Sequence, residues 1–291
     1  MDELIQKAAT LLEALPYMQK FRDKTFVVKY GGSFMDSDDP EVRQAVARDV
    51  VFLEAAGINP VVVHGGGKAI TRSLSQAGIE TRFVQGMRVT DEASVKVVDD
   101  VLSRQINPEI VKLIEKSGGK ARGFAGTDIL TCRKLEIQGP DGAVLDPGYV
   151  GVVVAVNTGP LIECIRDHVT PVISPTAIGV DGKVYNCNAD VAAAQVAIAL
   201  KACRLVFMSD VVGLMKDVNQ PDSIISRLHT ADVPDLKKKG IIASGMIPKV
   251  DSAVEAIRAG VDKVSFVDGR LQHSVLLEIF THKGVGTELV L

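Results

Sequence analysis

Cysteine is sparse and unpatterned in this chain. Its four copies, Cys132, Cys164, Cys187 and Cys203, stand far apart with no CxxC pair, and the five histidines do not cluster. That excludes a disulfide framework and a structural zinc site and fits a reducing compartment. No apolar run reaches the ~18 residues that a membrane span needs. The N-terminus is amphipathic and carries acids, which is not the basic segment plus apolar core of a secretory leader. These absences predict a soluble, cytoplasmic protein. An excess of one charge is also lacking: the net charge is −3 over 291 residues, so neither nucleic acid nor a membrane is an expected partner. Any anionic ligand must be held by local groups.

What is present is a large apolar fraction, 46%, in strand-length runs that alternate with helical patterns. Strands are predicted at Thr25–Tyr30, Pro60–His64, Lys120–Phe124, Pro171–Ser174, Leu205–Ser209 and Lys263–Val267. Helices are predicted at Pro40–Ala56, Ala93–Lys116, Asp190–Lys201 and Pro248–Ala259. Nearly continuous apolar strands separated by helices imply a mainly parallel sheet covered on both faces, a three-layer α/β (αβα) sandwich. The interval Thr131–Val156 breaks that rhythm, and its turns at Gly139-Pro-Asp-Gly142 and Asp146-Pro-Gly148 suggest hairpins over one end. No Ser/Gly linker divides the chain, so two lobes of one continuous sheet are expected. An additional helix precedes the first strand. Its apolar stripe, Leu4, Ile5, Ala8, Leu11, Leu12 and Leu15, stops before Pro16 and serves either its own lobe or a second subunit.

Two strands run directly into glycine: VKYGGS at 28–33 and VVVHGGG at 61–67. In an open α/β sheet, ligands sit beyond the carboxyl ends of the strands. Glycine lets a backbone N–H approach a ligand oxygen closely, and a following helix adds a positive pole. The familiar nucleotide motifs fail as written. A Walker loop would need Ser or Thr where Ala69 stands, and a dinucleotide fingerprint would need glycine at Ile70, although Glu80 lies where a ribose-binding acid would. A simple tight turn remains the alternative for either cluster taken alone. Lys29 precedes one glycine pair. Lys249, in SGMIPKV with Pro248 read as the first helical residue, lies where a helix dipole disfavours a cation. Together they form a candidate pair of phosphate clamps. In YNCNAD, Asn186, Asn188 and Asp190 crowd one helix entrance; one of them caps, and a carboxylate there can hold two ammonium groups. Cys187 has no histidine beside it in sequence and is read as packing. Arg88, in GMRVTDE, is either a surface ion-pair partner or a guanidinium fork for a substrate carboxylate.

At these residues the chain resembles the amino acid kinase family, and its acetylglutamate branch in particular. The matching stretches are VKYGGS (28–33), VVVHGGG (61–67), GMRVTD (86–91), DPGYVGVVVAVN (146–157), YNCNADVAA (185–193), FMSDVVGLM (207–215) and IIASGMIPKV (241–250). They run in family order over nearly the whole chain. The resemblance implies transfer of the γ-phosphoryl group of ATP to the side-chain carboxylate of N-acetyl-L-glutamate, an acyl-phosphate step of arginine biosynthesis. Mg²⁺ would be held mainly by the phosphates, with no protein metal site. By the same resemblance, Lys29 and Lys249 stabilise the transferring group and Asp190 orients them. Gly32, Gly66 and Gly67 supply backbone donors, and Arg88 with Asn186 holds the substrate. Asp210, Val211, Val212, Gly213, Leu214 and Met215, with Ile241, Ile242 and Ala243, line the ATP site. Residues 1–24 become an oligomerisation helix and 25–291 the kinase domain, with 25–180 the substrate lobe and 181–291 the ATP lobe. The N-terminal helix and the ending HSVLLEIFTHKGVGTEL also resemble arginine-inhibited members. That implies a hexamer built as a trimer of dimers, and arginine as an effector bound by Tyr17, His273, Glu278 and Gly286.

The chemistry suits these residues. A carboxylate nucleophile is ionised at neutral pH, so no general base is needed. Phosphoryl transfer depends on positioning and charge neutralisation. The chain departs from the family at three places: Lys68 follows the glycines where many relatives have proline, Pro108 replaces a usual lysine and bends or restarts its helix, and GTDILTCRK (126–134) lacks glycines after the aspartate. These departures surround the substrate lobe. The competing expectations are a family kinase acting on carbamate, aspartate or glutamate, a non-catalytic amino-acid sensor, and a nicotinamide enzyme.

Overall fold

The expected apolar stretches do form a sheet. The protein is seen in a computed structural model that describes residues 1–31, 40–84, 86–138, 144–217, 220, 223–243 and 245–291. Its first elements are helix α1 (Asp2–Phe21), β1 (Thr25–Tyr30), α2 (Pro40–Ala55), β2 (Asn59–His64), α3 (Gly67–Gln76), the hairpin β3 (Phe83–Val84) and β4 (Met87–Arg88), and α4 (Glu92–Asp99). A π-helical segment, Asp100–Ile106, leads into α5 (Asn107–Lys116), then β5 (Ala121–Phe124), the single turn α6 (Gly126–Ile129), β6 (Leu130–Lys134), β7 (Ile137–Gln138), β8 (Val144–Leu145) and β9 (Val150–Val156). The chain continues with α7 (Gly159–Arg166), β10 (Thr170–Ile173), β11 (Thr176–Gly179), β12 (Val184–Cys187), α8 (Ala189–Ala199), β13 (Arg204–Ser209), β14 (Arg227–His229), α9 (Val233–Lys238), α10 (Met246–Arg258), β15 (Lys263–Asp268), α11 (Ser274–Ile279) and β16 (Thr287–Val290).

Eight strands form one sheet in the order β14-β16-β15-β13-β1-β2-β10-β5. All neighbours are parallel except β15 and β16. Strand side chains alternate between two cores, as the period of two requires. Val27, Val61, Val63, Leu205, Phe207 and Phe266 face α8 and α10, whereas Phe26, Val28, Val62, Val206 and Met208 join a second cluster with α2, α5 and α11. Helices therefore cover both faces, and the αβα sandwich stands. Strand β1 joins the two halves, pairing with β2 on one side and β13 on the other.

Several local expectations are corrected. The helix expected over Ala93–Lys116 is three pieces, and Pro108 sits in the first turn of its last piece: with no N–H to give, proline is tolerated there. The last long helix starts at Met246, not Pro248, because Gly245 takes the cap position. The first helix runs through Pro16 to Phe21. Its root is anchored by Phe21 on Phe26 and by Tyr17 on Phe280 and His282, while Leu4, Leu11 and Leu12 remain more than 60% exposed. The interval after Thr131 contains one short hairpin, β7–β8, whose expected turn at 139–142 lies outside the described residues. Its longer strands, β6 and β9, close with β11 and β12 into a small four-stranded barrel. Strands β11 and β12 are too short and too polar to stand out by hydropathy.

Candidate active site

Strands β1, β2 and β13 end side by side, and their register sets Lys29 of β1 between Val63 of β2 and Phe207 of β13. The helix that follows β12 begins at the same end. Asn188 is its cap, with Oδ1 accepting from the N–H groups of Asp190 (2.8 Å) and Val191 (3.3 Å). With Asn188 satisfying the helix end, the Asp190 carboxylate is released for other work. Helix α8 is mostly alanine and valine, with five residues buried, and the small side chains let α10 pack closely against it. That packing sets Lys249, only 8% exposed, opposite Asp190.

The result is a nearly symmetric triad. Lys29 Nζ lies 3.0 Å from Asp190 Oδ1 and Lys249 Nζ lies 2.8 Å from Asp190 Oδ2. Burial alone would raise the Asp190 pKa, but the charges of Lys29 and Lys249 outweigh it and hold the carboxyl at about 2. Burial lowers the Lys249 pKa; Asp190 opposes the shift and Lys29 reinforces it. The Asp190 carboxylate is thus what favours the charged form of the buried Lys249 ammonium.

A cleft of about 250 Å³ opens beside the triad. Its walls include Lys29 and Asp190, the glycines 65–67, Arg88 and Asn186. Gly66 is buried, and among the described residues its N–H has no acceptor. A Cβ on Gly66 would lie 2.6 Å from Ile106 Cδ1 and 2.7 Å from Leu102 Cδ2, so a side chain there would have to displace two methyl groups of the π-helical segment. Arg88, 8% exposed, is fixed by Nη2 donating to Gly67 O (3.0 Å) and Thr71 Oγ1 (2.9 Å) and by Nη1 donating to Thr81 Oγ1 (3.2 Å). Phe83 lies under the guanidinium at 4.8 Å. These bonds leave Nε–H and one Nη1–H for a ligand. Burial lowers the Arg88 pKa, yet the group stays cationic at any working pH. Asn186 donates to Thr90 Oγ1 at 3.4 Å, and that hydroxyl donates in turn to the Arg88 carbonyl. Buried cations, a bare N–H and a fixed guanidinium around one cleft can bind a dianion and a carboxylate at once.

The amino acid kinase family matches residues 24–268. The chain belongs to that family. It is 47% identical over 295 residues to the acetylglutamate kinase of Geobacter sulfurreducens, covering 99% of both chains. It is 45% identical over 289 residues to that of Akkermansia muciniphila, covering 99% of this chain and 96% of the relative. Among solved structures it is similar to the N-acetylglutamate synthase of Neisseria gonorrhoeae complexed with coenzyme A and N-acetyl-glutamate, at TM-score 0.84 and 26% identity. The match covers 98% of this chain and 63% of that longer one. The carbamate kinase of Giardia lamblia bound to AMP-PNP shares the fold, at TM-score 0.67 and 14% identity over 92% of this chain and 98% of that one.

Within this amino acid kinase, the structure brings Lys29, Lys249, Asp190, Gly66, Gly67, Arg88 and Asn186 together. Gly32 lies outside the described residues. Asp210–Met215 follow β13; Asp210 is exposed and its charge reaches Lys249. Leu214 and Ile242 are core residues, 2% and 1% exposed, and Gly213 adopts φ +138° with Thr287 Oγ1 close to where a Cβ would stand. Val211, Val212, Met215 and Ile241 are half-buried and Ala243 is exposed. Lys68 is exposed on the first turn of α3, next to Gly67 but not itself among the residues that line the cleft.

Tyr17, Glu278 and Gly286 meet around a second cavity of about 380 Å³ at the root of α1. There Glu278 Oε2 accepts from the N–H groups of Val285 (3.0 Å) and Gly286 (3.3 Å). His273 is not among them: its Nδ1 lies 2.6 Å from the buried Asp49 carboxylate on α2. The residue that sequence reasoning missed is His64, fully buried at the end of β2 and bonded to the glycine turn. Its visible signal was a lone polar residue ending an otherwise apolar strand, directly before the glycines.

Proposed function

We propose that this chain transfers the γ-phosphoryl group of ATP to the side-chain carboxylate of N-acetyl-L-glutamate. The observation that carries this reading is the Lys29–Asp190–Lys249 triad beside a cleft walled by the Gly66 N–H, Arg88 and Asn186. Arg88 and Asn186 take the substrate's α-carboxylate, leaving its ionised side-chain carboxylate to attack. A bond forms between a carboxylate oxygen and the γ-phosphorus, the bond from that phosphorus to the β,γ-bridging oxygen breaks, and ADP leaves. Lys29 and Lys249 neutralise charge on the group in transit, and the Gly66 N–H donates to one of its oxygens. Mg²⁺ bound with ATP would be held mainly by the phosphates and would offset their charge. Residues 25–180 form the substrate lobe and 181–291 the ATP lobe, with Asp210–Met215 and Ile241–Ala243 along the nucleotide.

The same reading makes the enzyme cytoplasmic and arginine its feedback inhibitor. The cavity bearing Tyr17, Glu278 and Gly286 supports it, since Glu278 can pair with a guanidinium while Lys20 and Arg204 face an α-carboxylate. The exposed stripe of Leu4, Ile5, Leu11, Leu12 and Leu15 supports a role for α1 in joining dimers into a hexamer. Among the described residues no helix is long and apolar enough to cross a membrane.

The test is acyl-phosphate formation, trapped as a hydroxamate by hydroxylamine, with ATP and N-acetyl-L-glutamate, carbamate, aspartate or glutamate. Product with the acetylated substrate and suppression by arginine support the reading; preference for another acid overturns the substrate. Deleting residues 1–16 is expected to leave dimers with blunted inhibition, read by light scattering and by arginine titration. An unchanged assembly overturns the role given to α1.

A further inference from the structure

His64 is fully buried, and its two ring nitrogens have different neighbours. Nδ1 lies 3.1 Å from the Gly65 carbonyl oxygen, and Nε2 lies 3.2 Å from Asn107 Nδ2. A carbonyl only accepts and an amide nitrogen only donates, so one protonation state satisfies both contacts: a neutral ring with its proton on Nδ1. Asn107 is itself fixed. Its Nδ2 also donates to Val172 O at 2.9 Å, and its Oδ1 sits where any side chain on Gly123 would be. The amide group therefore reaches from the start of α5 across the ends of β2, β5 and β10. Burial lowers the His64 pKa to about 4, so this ring is uncharged through neutral pH.

The Gly65 carbonyl belongs to the same peptide unit as the Gly66 N–H, and in a trans peptide these two groups point in opposite directions. Holding the carbonyl on the buried ring turns the N–H the other way, towards the cleft that Gly66 lines. We infer that His64 is a positioning residue: its Nδ1–H, with Asn107 fixing the tautomer, aims the Gly66 N–H at the phosphoryl group being transferred. This rests on the kinase reading above. His64 touches no substrate and transfers no proton.

Two substitutions separate aiming from packing. In His64→Asn the side-chain amide can still donate from the position of Nδ1, whereas in His64→Gln the amide reaches towards Asn107 and leaves the Gly65 carbonyl free. The expected result is a ~10- to 100-fold loss of kcat in H64Q, bounded by the ~10²–10³ of losing an oxyanion donor outright. KM values for ATP and the acid stay within about threefold in H64Q, because the interaction is made in the transition state. H64N recovers most of the rate. Wild-type turnover in H64Q, or equal impairment of both variants, overturns the inference. A readout independent of whether either variant folds is nitrogen NMR of wild-type protein labelled with ¹⁵N-histidine. The inference requires one ring protonated on Nδ1 that does not titrate between about pH 5.5 and 9; its absence contradicts the inference. Failure of the wild type to phosphorylate N-acetylglutamate sinks the kinase reading instead, and the NMR arm still decides the tautomer.

Discussion

Asp190→Asn removes one charge and almost no volume, which makes it the sharpest probe of the triad. Asp190 titrates at about 2 against an ordinary 3.8, despite a burial effect in the opposite direction. At 1.36 kcal/mol per unit, the two lysines leave the ionised carboxylate contributing about 2 kcal/mol to folding. Because the folded pKa is depressed, that stability is fully present above about pH 4 and disappears as the pH falls through the folded value. The asparagine variant lacks it and also leaves two ammonium groups buried without their shared carboxylate, so the total loss at pH 7 is ~3–5 kcal/mol. Lys249 responds as well: burial and Lys29 already lower its pKa, and the opposing Asp190 contribution is gone. The alkaline limb of the kcat profile therefore moves to lower pH in D190N. Urea unfolding at pH 7 and along a series from 4 to 2 reads the first effect, with the difference between wild type and variant narrowing on acidification. Hydroxamate formation against pH reads the second. Stability within about 0.5 kcal/mol of wild type at pH 7, with an unmoved alkaline limb, refutes the coupling.

Lys29→Ala and Lys249→Ala are each expected to lower kcat by ~10²–10³, about 3–4 kcal/mol, as for losing one oxyanion donor; near-normal turnover in steady-state assays removes that lysine from the mechanism. Arg88→Lys replaces a fork held by Thr71, Thr81 and the Gly67 carbonyl with a point charge. It should raise KM for the acid by about tenfold or more while KM for ATP stays put. Gly66→Ala forces a methyl against Ile106 and Leu102 and is expected to cost ~1–3 kcal/mol in thermal or denaturant unfolding. Gly67→Ala meets nothing within 4 Å and is its neutral control.

The sheet was legible because its strands are apolar on both faces: Thr25–Tyr30 is found with the expected bounds, Thr170–Ile173 is displaced by one residue at both ends from the expected Pro171–Ser174, and the other predicted strands differ by one residue at one end. The triad was legible for a different reason. Lys249 at a helix start and Asp190 beside an adequate cap, Asn188, are each poor choices for folding alone, and both become sensible only when brought together. What stayed hidden depends on contacts between distant segments. The π-helical segment Asp100–Ile106 has no periodic signature of its own, yet its Leu102 and Ile106 side chains pack against Gly66. Helix α10 starts two residues before the expected Pro248: that proline is a strong first-turn signal in sequence, and Gly245 as a cap is a weaker one. Strands β11 and β12 close a barrel through pairing with β6 and β9 that four-residue segments cannot advertise. His273 lies near Glu278 in sequence, but as the cap residue of α11 its ring turns to Asp49.

The most direct test of the two-lysine clamp is a crystal structure with ADP, Mg²⁺, a planar metal-fluoride mimic of the phosphoryl group and N-acetylglutamate. The account predicts Lys29 Nζ and Lys249 Nζ each within about 3 Å of a fluoride, with the Gly66 N–H on the same group. A mimic bound with either lysine still turned only towards Asp190 and out of reach would contradict it.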